Sequence, residues 1–187
     1  MRSIDRAQEL GEVFTHKREV DAMLDLIPDS FAELTTTFLE PACGDGNFLV
    51  EIYAHKIATI RGASTSRPAE QVEFEILLAL TSIYGVDISE LNVLEAIDRL
   101  VDIAVAAHAF LGLKPNEAFV QAATAIAKSN IVIGDALNAA SDIVLVEYQP
   151  LPAFRFQRMP FHLEAPDMDL FYLPPEPLQD AHYLELC

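Results

Sequence analysis

The residues with the clearest chemical potential form a turn that contains two glycines. The segment reads Phe38-Leu39-Glu40-Pro41-Ala42-Cys43-Gly44-Asp45-Gly46-Asn47-Phe48-Leu49, an apolar run that passes into a helical pattern. Glycines at a strand-to-helix turn let the backbone approach a ligand closely, and the following helix presents unpaired N–H groups to a carboxylate or a phosphate. The third glycine of the dinucleotide fingerprint is absent, and no Gly-Lys-Ser/Thr of a phosphate loop follows. The turn therefore predicts a site for a nucleotide-like cofactor of another kind.

Two carboxylates follow later apolar runs and are candidates for the same site. Asp87 ends the run that starts at residue 83, and a carboxylate at the end of a strand can accept hydrogen bonds from the hydroxyls of a ribose. Asp135 follows a third apolar run, within Ile-Gly-Asp-Ala-Leu. Two structural alternatives stay open: Asp87 can be an acid at a helix amino terminus, with Ser89 as its cap, and Gly-Asp is a common turn.

Together these segments resemble the cofactor motifs of adenine-specific DNA methyltransferases, the modification subunits of restriction systems. The resemblance implies a class I methyltransferase that binds S-adenosylmethionine. A segment at residues 11–15 is similar to the amino-terminal motif of the family, in which an aromatic residue and a threonine close the methionine end, although His16 stands where the family commonly has proline. The cofactor-binding residues that the resemblance implies are Phe14, Thr15, Glu40, Pro41, Ala42, Cys43, Gly44, Asp45, Gly46, Asp87, Ile88, Asp135 and Ala136.

The catalytic signature of that family is altered in this chain. Family members carry Asn or Asp, two prolines and an aromatic residue after the fourth strand, and these grip and stack on a flipped base. Here the apolar run 143–146 is followed by Glu147-Tyr148-Gln149-Pro150. Glu147 could accept a hydrogen bond from an amine and Tyr148 could stack on a base, so the resemblance makes these two residues the catalytic candidates.

The elements that must position these residues alternate along the chain. Helical spacing is found at 17–27, after the glycine turn, and over 69–83, 90–112 and 116–129, and short apolar runs precede or follow each of these helices. Such alternation predicts an α/β fold with a Rossmann-like, mostly parallel sheet and helices on both faces. The alternating pattern of 142–164 predicts an antiparallel hairpin that closes one edge of the sheet. We expect one domain over residues 1–187, with a helical motif at 1–30 and an extended tail or edge segment at 165–187.

Composition restricts the partners. The 187 residues include 12 Lys+Arg and 29 Asp+Glu, a formal net charge of -17, which opposes binding to a phosphate backbone. DNA is therefore a weakly supported partner, and a protein partner or a homo-oligomer is an alternative. The two cysteines and five histidines show no metal-ligand spacing, and no signal peptide or membrane-length apolar run is present, so we expect a cytoplasmic protein without a metal or a membrane partner.

Two functions fit this pattern. The first is an S-adenosylmethionine-dependent methyltransferase, of the DNA adenine N6 type or a degenerate relative of it. The second is a non-catalytic cofactor-binding or regulatory protein of a restriction-modification or anti-restriction system. The residues that would hold the cofactor are the same in both, whereas in the second the altered 147–150 segment and the acidic surface would serve a partner subunit, a regulatory role or mimicry of DNA.

Overall fold

The computed structural model describes residues 17–63, 67–113, 116–164 and 175–186. The amino-terminal segment that contains Phe14 and Thr15 lies outside these ranges. So do residues 165–174 of the expected tail.

Three short parallel strands form the first sheet. They are hydrogen-bonded in chain order: β1 (Phe38–Glu40), β2 (Ile83–Asp87) and β3 (Ile131–Ile133). Glu40 pairs with Gly85, and Asp87 pairs with Ile133, so the carboxyl ends of the three strands meet along one edge. The predicted α/β fold with a parallel sheet is confirmed, but this sheet has only three strands in the described part of the chain.

The described ranges contain five α-helices. They are α1 (Lys17–Leu24), α2 (Asn47–Gly62), α3 (Ala69–Thr81), α4 (Glu90–Phe110) and α5 (Glu117–Asn130). Ser89 caps α4 as predicted, since its side chain accepts from Asn92 N, and Asn116 caps α5 by accepting from Phe119 N at 2.7 Å. None of these helices has the length and apolarity needed to cross a membrane.

The two faces of the parallel sheet are covered by different structures. On one face, a Cβ added to Gly85 would lie 2.7 Å from Leu49 Cδ1, so α2 packs directly on the strands. On the other face, Val86 is buried against Ile143, the residue just before the antiparallel strands described below. Helices are expected on both faces from the sequence, and this expectation is corrected: in the described residues, antiparallel strands cover the second face.

The order of the strands explains this difference. β1, β2 and β3 are added in one direction, and crossovers between parallel strands are almost always right-handed, so successive crossovers place their helices on the same face. Helices reach the second face only where the order of strands reverses. No reversal occurs among the described strands.

The second sheet is antiparallel. Its strands are ordered β4 (Val144–Leu151), β5 (Arg155–His162) and β6 (Leu178–His182). The hairpin predicted over 142–164 is confirmed, but among the described residues it belongs to a sheet of its own and does not close an edge of the parallel sheet. β6 and a 3-10 helix, Tyr183–Glu185, form an edge within the segment expected to be a tail.

β4 runs in the opposite direction to β3. A Cβ added to Gly134, just past the end of β3, would lie 2.7 Å from Ile143 Cγ1. Three residues later in β4, Val146 N donates to the side chain of Asn130, just before β3 begins, at 3.1 Å. Residues after Val146 therefore lie towards the amino ends of the parallel strands.

The turn between β4 and β5 holds two residues in the left-handed region. Ala153 and Phe154 have φ values of 59° and 54°, and this conformation costs a residue with a Cβ about 1–2 kcal/mol. Replacing Ala153 by glycine should therefore raise the free energy of unfolding by up to about 1 kcal/mol, after the greater entropy of the unfolded glycine is subtracted. Ala106→Gly, the same change on the exposed face of α4, should lower it by about 1 kcal/mol. Urea denaturation of both variants measures the signs, and a loss of stability in Ala153→Gly would contradict the prediction.

Candidate functional site

The glycine turn joins β1 to α2 and is tied to the neighbouring strand. Cys43 N donates to Val86 O, and Gly46 N donates to Cys43 O, both at 2.9 Å. Gly44 and Gly46 have φ values of 54° and 83°, a region that glycine adopts without steric cost. Among the described residues, nothing lies within 4 Å of a Cβ built on Gly44, so the backbone there is open to a ligand.

Asp87 connects this turn to the start of α4. Its Oδ2 accepts from Gly44 N at 2.9 Å, while its Oδ1 accepts from Ser89 N at 2.8 Å and from Asn92 Nδ2 at 3.2 Å. A carboxylate offers about four acceptor positions, so one position, on Oδ2, is left for a ligand. The sequence predicted an acceptor of ribose hydroxyls, and the structure adds that the same carboxylate organises the protein backbone around the site.

Arg99 also stabilises the turn, and the sequence analysis missed it. Its guanidinium donates to Asp45 O at 2.7 Å and to Asn47 Oδ1 at 3.0 Å. Arg99 lies in the middle of α4, 54 residues after Asp45. No local pattern distinguishes it from a solvated arginine, so only the packing of α4 beside the turn reveals its role.

Negative charge is concentrated around the turn. Burial raises the pKa of the Cys43 thiol to about 12, and the charges of Asp87, Glu40 and Asp45 add to this rise. Desolvation also raises the pKa of Glu40, although a hydrogen bond from the backbone of Ala42 opposes it. The thiol is therefore a packing group rather than a nucleophile, and the carboxylates would attract a cationic group of a ligand.

Asp135 caps its own loop at the same edge of the sheet. Its Oδ1 accepts from Leu137 N and Asn138 N at 3.0 Å each, and its Oδ2 accepts from Asn138 Nδ2 at 2.7 Å. The hydrogen bonds from the side chain and backbone of Asn138 hold the pKa of Asp135 below its usual value. The loop starts beside the candidate site, because Gly134 N donates to Asp87 O at 3.0 Å. A structural role as a turn residue, which the sequence left open, is therefore present.

Exposed apolar side chains flank Asp87. Ile88 is 68% exposed, and Ile133, the partner of Asp87 across the strands, is 55% exposed. Ile88 could be predicted because it follows Asp87 in sequence, whereas Ile133 has the pattern of an ordinary strand residue. Ala136 is half-buried and packs on the opposite, antiparallel-sheet face.

Most of the predicted cofactor residues share this edge. Pro41 and Ala42 are exposed on the turn, while Phe14 and Thr15 are outside the described residues. The residues that the structure brings to the carboxyl ends of β1, β2 and β3 are Glu40, Cys43, Gly44, Asp45, Gly46, Asp87, Ile88 and Asp135.

Glu147 and Tyr148 are placed elsewhere. The Tyr148 hydroxyl lies 2.9 Å from Ser129 Oγ, near the end of α5, and its ring meets the Phe156 ring edge-on at 5.7 Å. Desolvation by this burial raises the pKa of Tyr148. Glu147 is exposed. Because β4 runs towards the amino ends of the parallel strands, the structure does not bring this pair together with the glycine turn.

Within the described ranges, no group of three or more His, Cys, Asp or Glu side chains is arranged to hold a metal ion. The chain was also compared with known protein families, with curated proteins and with solved structures. None of the three comparisons found a match.

Proposed function

We propose that this chain binds S-adenosylmethionine at the carboxyl ends of β1, β2 and β3. The observation that carries the proposal is the hydrogen bond of 2.9 Å from Gly44 N to Asp87 Oδ2, because it joins the glycine turn to the acidic residue of the next strand. An open backbone and an acceptor with one vacant position thus lie side by side. The resemblance of these segments to adenine-specific DNA methyltransferases supplies the identity of the ligand.

The charges and apolar groups of the site fit this ligand. S-adenosylmethionine carries a positive sulfonium, which the carboxylates of Glu40 and Asp87 would attract, whereas they would repel a polyphosphate. Asp45 is paired with Arg99 at 3.4 Å. Exposed Ile88 and Ile133 offer an apolar surface beside Asp87 that an adenine ring could cover. The amino terminus of α2, whose first turn has no acidic residue, suits the carboxylate of the methionine moiety.

Two uses of the bound cofactor are compatible with this site. S-adenosylmethionine would supply an electrophilic methyl group, so a methyltransferase must also hold an acceptor next to it. The position of Glu147 and Tyr148, towards the amino ends of the parallel strands, argues against these residues as the acceptor site. We therefore favour the non-catalytic cofactor-binding or regulatory protein over the DNA adenine methyltransferase.

Calorimetry with four ligands that contain adenosine tests the proposal. We expect S-adenosylmethionine and its demethylated product to bind, and ATP and NAD to give no heat, because their phosphates would face the carboxylates. Gly44→Ala should weaken binding of S-adenosylmethionine at least 10-fold, since the new methyl group fills space that the ligand needs. Gly62→Ala, at the end of α2 with equally open surroundings, is the matched control and should leave binding unchanged. Absence of heat with both sulfur ligands, or preferential binding of ATP, would contradict the proposal.

A radiolabelled methyl-transfer assay with single- and double-stranded DNA separates the two uses. We expect no transfer by the purified chain, because its net charge of -17 opposes contact with phosphates and its acceptor motif is altered. Robust transfer would restore Glu147 and Tyr148 as catalytic candidates. Transfer only in the presence of cell extract would indicate a partner protein that completes the enzyme.

A further inference from the structure

The last described segment of the chain covers an aromatic cluster. We call residues 178–186, which contain β6 and the following 3-10 helix, the strap. The Phe74 ring on α3 stacks on Phe156 of β5 at 4.7 Å, and Tyr183 of the strap meets Phe74 edge-on at 6.0 Å. Phe156 and Tyr183 are both almost fully buried, at 0% and 1% exposure. Removing the strap would therefore open this cluster to solvent.

One carboxylate holds the strap to the helices. Glu73 on α3 accepts from the Tyr183 hydroxyl at 2.5 Å through Oε2, and its Oε1 lies 2.7 Å from Nε2 of His108 on α4. His108 is completely buried against the Phe119 ring of α5, and within the described part of the chain its Nδ1 has no hydrogen-bond partner. The contact with Glu73 engages only the Nε2 side of the ring, so Nδ1 is left unmatched. The attachment thus contains a buried polar atom whose lost hydration is not replaced.

The strap also retains a strained residue. Tyr183 N donates to Phe154 O at 2.9 Å, and the Phe154 ring packs on Phe74 at 5.5 Å. Phe154 and its neighbour Ala153 are both in the left-handed region, which is unfavourable for residues with a Cβ. Release of Tyr183 would let this turn relax, so the strain favours the detached state.

The remaining hydrogen bonds and ion pairs of the strap are irregular or exposed, although its Ala181 and Leu186 side chains are buried in the core. Its pairing with β5 has a shift of register between Phe156 and Arg158. Its ion pairs are Arg155 with Asp180 at 2.9 Å and Arg155 with Glu185 at 3.9 Å, and His182 Nε2 lies 3.5 Å from Glu70 Oε1. Exposed ion pairs of this kind contribute little to stability.

From these attachments we propose that the strap is a detachable segment, which opens as a unit while the parallel sheet and its helices stay folded. The Tyr183–Glu73–His108 contacts are its latch, and the aromatic cluster of Phe74 and Phe156 is the surface that opening exposes. The left-handed turn lowers the cost of opening, because the hydrogen bond from Tyr183 N to Phe154 O holds it in place. Segments that open below the cost of global unfolding are the ones that proteins use for conformational change.

Native-state hydrogen exchange, detected by NMR, tests the proposal on the intact chain. We expect the amides of Tyr183 and Leu184 to share one opening constant, at least 10-fold larger than that of the slowest amides in β2. Tyr183→Phe, which removes only the hydroxyl, should increase the opening constant at positions 183 and 184 by about 10-fold or more. Lys56→Met, which weakens the loop before β1, destabilises the whole fold, so it should increase the opening constant of the β2 amides by a larger factor than that of the strap amides.

Two outcomes would overturn the proposal. The first is one common opening constant for the strap and β2 in the wild-type protein, which would mean that the strap is released only by global unfolding. The second is independent opening of the Tyr183 and Leu184 amides, which would indicate fraying of single residues rather than a cooperative strap.

Discussion

Replacing Gly46 by alanine is expected to lower the free energy of unfolding by about 3 kcal/mol. Two costs add at this position. Gly46 has a φ of 83°, and its new Cβ would lie 2.9 Å from the Cβ and 3.2 Å from the Cα of Ala96 on α4. The backbone of α4 cannot yield as a flexible side chain could, so the overlap must separate α2 from α4 at the candidate site.

Gly44→Ala is the matched control for this variant. Gly44 has the same left-handed conformation, with a φ of 54°, but its Cβ would meet nothing within 4 Å. Only the backbone cost remains, so the expected loss is about 1 kcal/mol. Urea denaturation monitored by circular dichroism measures both variants. Equal losses of unfolding free energy in the two variants would show that contact with Ala96 does not contribute to the effect of Gly46→Ala. They would contradict the close approach of α2 and α4.

Replacing Lys56 by methionine is expected to lower the free energy of unfolding by about 3 kcal/mol at pH 7. Lys56 is completely buried on α2, and its Nζ donates to Leu34 O, Thr36 O and Ser82 Oγ at 2.7 Å each. These hydrogen bonds hold the loop that leads into β1. Methionine fills a similar volume but provides no donor, so Thr36 O loses this partner, while Leu34 O still accepts from Ser82 Oγ at 2.9 Å.

The stability lost in Lys56→Met should also depend on pH in a defined direction. Desolvation lowers the pKa of Lys56 to about 8, below the value of about 10.4 for an unfolded lysine. Between these values the unfolded state binds more protons, so stability from this group rises with pH. The stability difference between wild type and Lys56→Met should therefore widen by about 2–3 kcal/mol from pH 7 to pH 10.

Denaturation of both proteins at the two pH values is the measurement. Groups that titrate alike in both, such as the Cys43 thiol, cancel in the difference. Lys128→Met, an exposed change on α5, is the control and should cost less than about 0.5 kcal/mol at either pH. A difference that stays constant or narrows with pH would mean that burial does not lower the pKa of Lys56.

The predictions from sequence that hold are those that depend on local chemistry. The turn at residues 44–46 is readable because a strand must pass into a helix there, and only glycine takes left-handed φ values without cost. The cap at Ser89 and the alternation of β4 and β5 are equally local. The meeting of Gly44 with Asp87 also follows from the pattern, because parallel strands bring their carboxyl ends to one edge.

The features that sequence could not supply depend on contacts between distant segments. Lys56 and His108 occupy helical positions where such residues are usually solvated, and only packing reveals that both are buried. Arg99 reaches Asp45 because α4 lies beside the turn. A residue type can be assigned to a helix by its neighbours in sequence, but its burial depends on which other helices pack against it.

The sequence by itself determined the parallel α/β unit, the glycine turn and the acidic residue beside it, because backbone preferences locate each element and parallel strands bring their carboxyl ends to one edge. The tertiary structure decided the direction of β4, and with it the placement of Glu147 and Tyr148 away from the candidate site. An apolar, alternating strand has the same pattern whichever way it runs and whichever sheet it joins. Its direction is decided by contacts such as those of Ile143 with Gly134 and of Val146 with Asn130, which form only when the whole chain is folded.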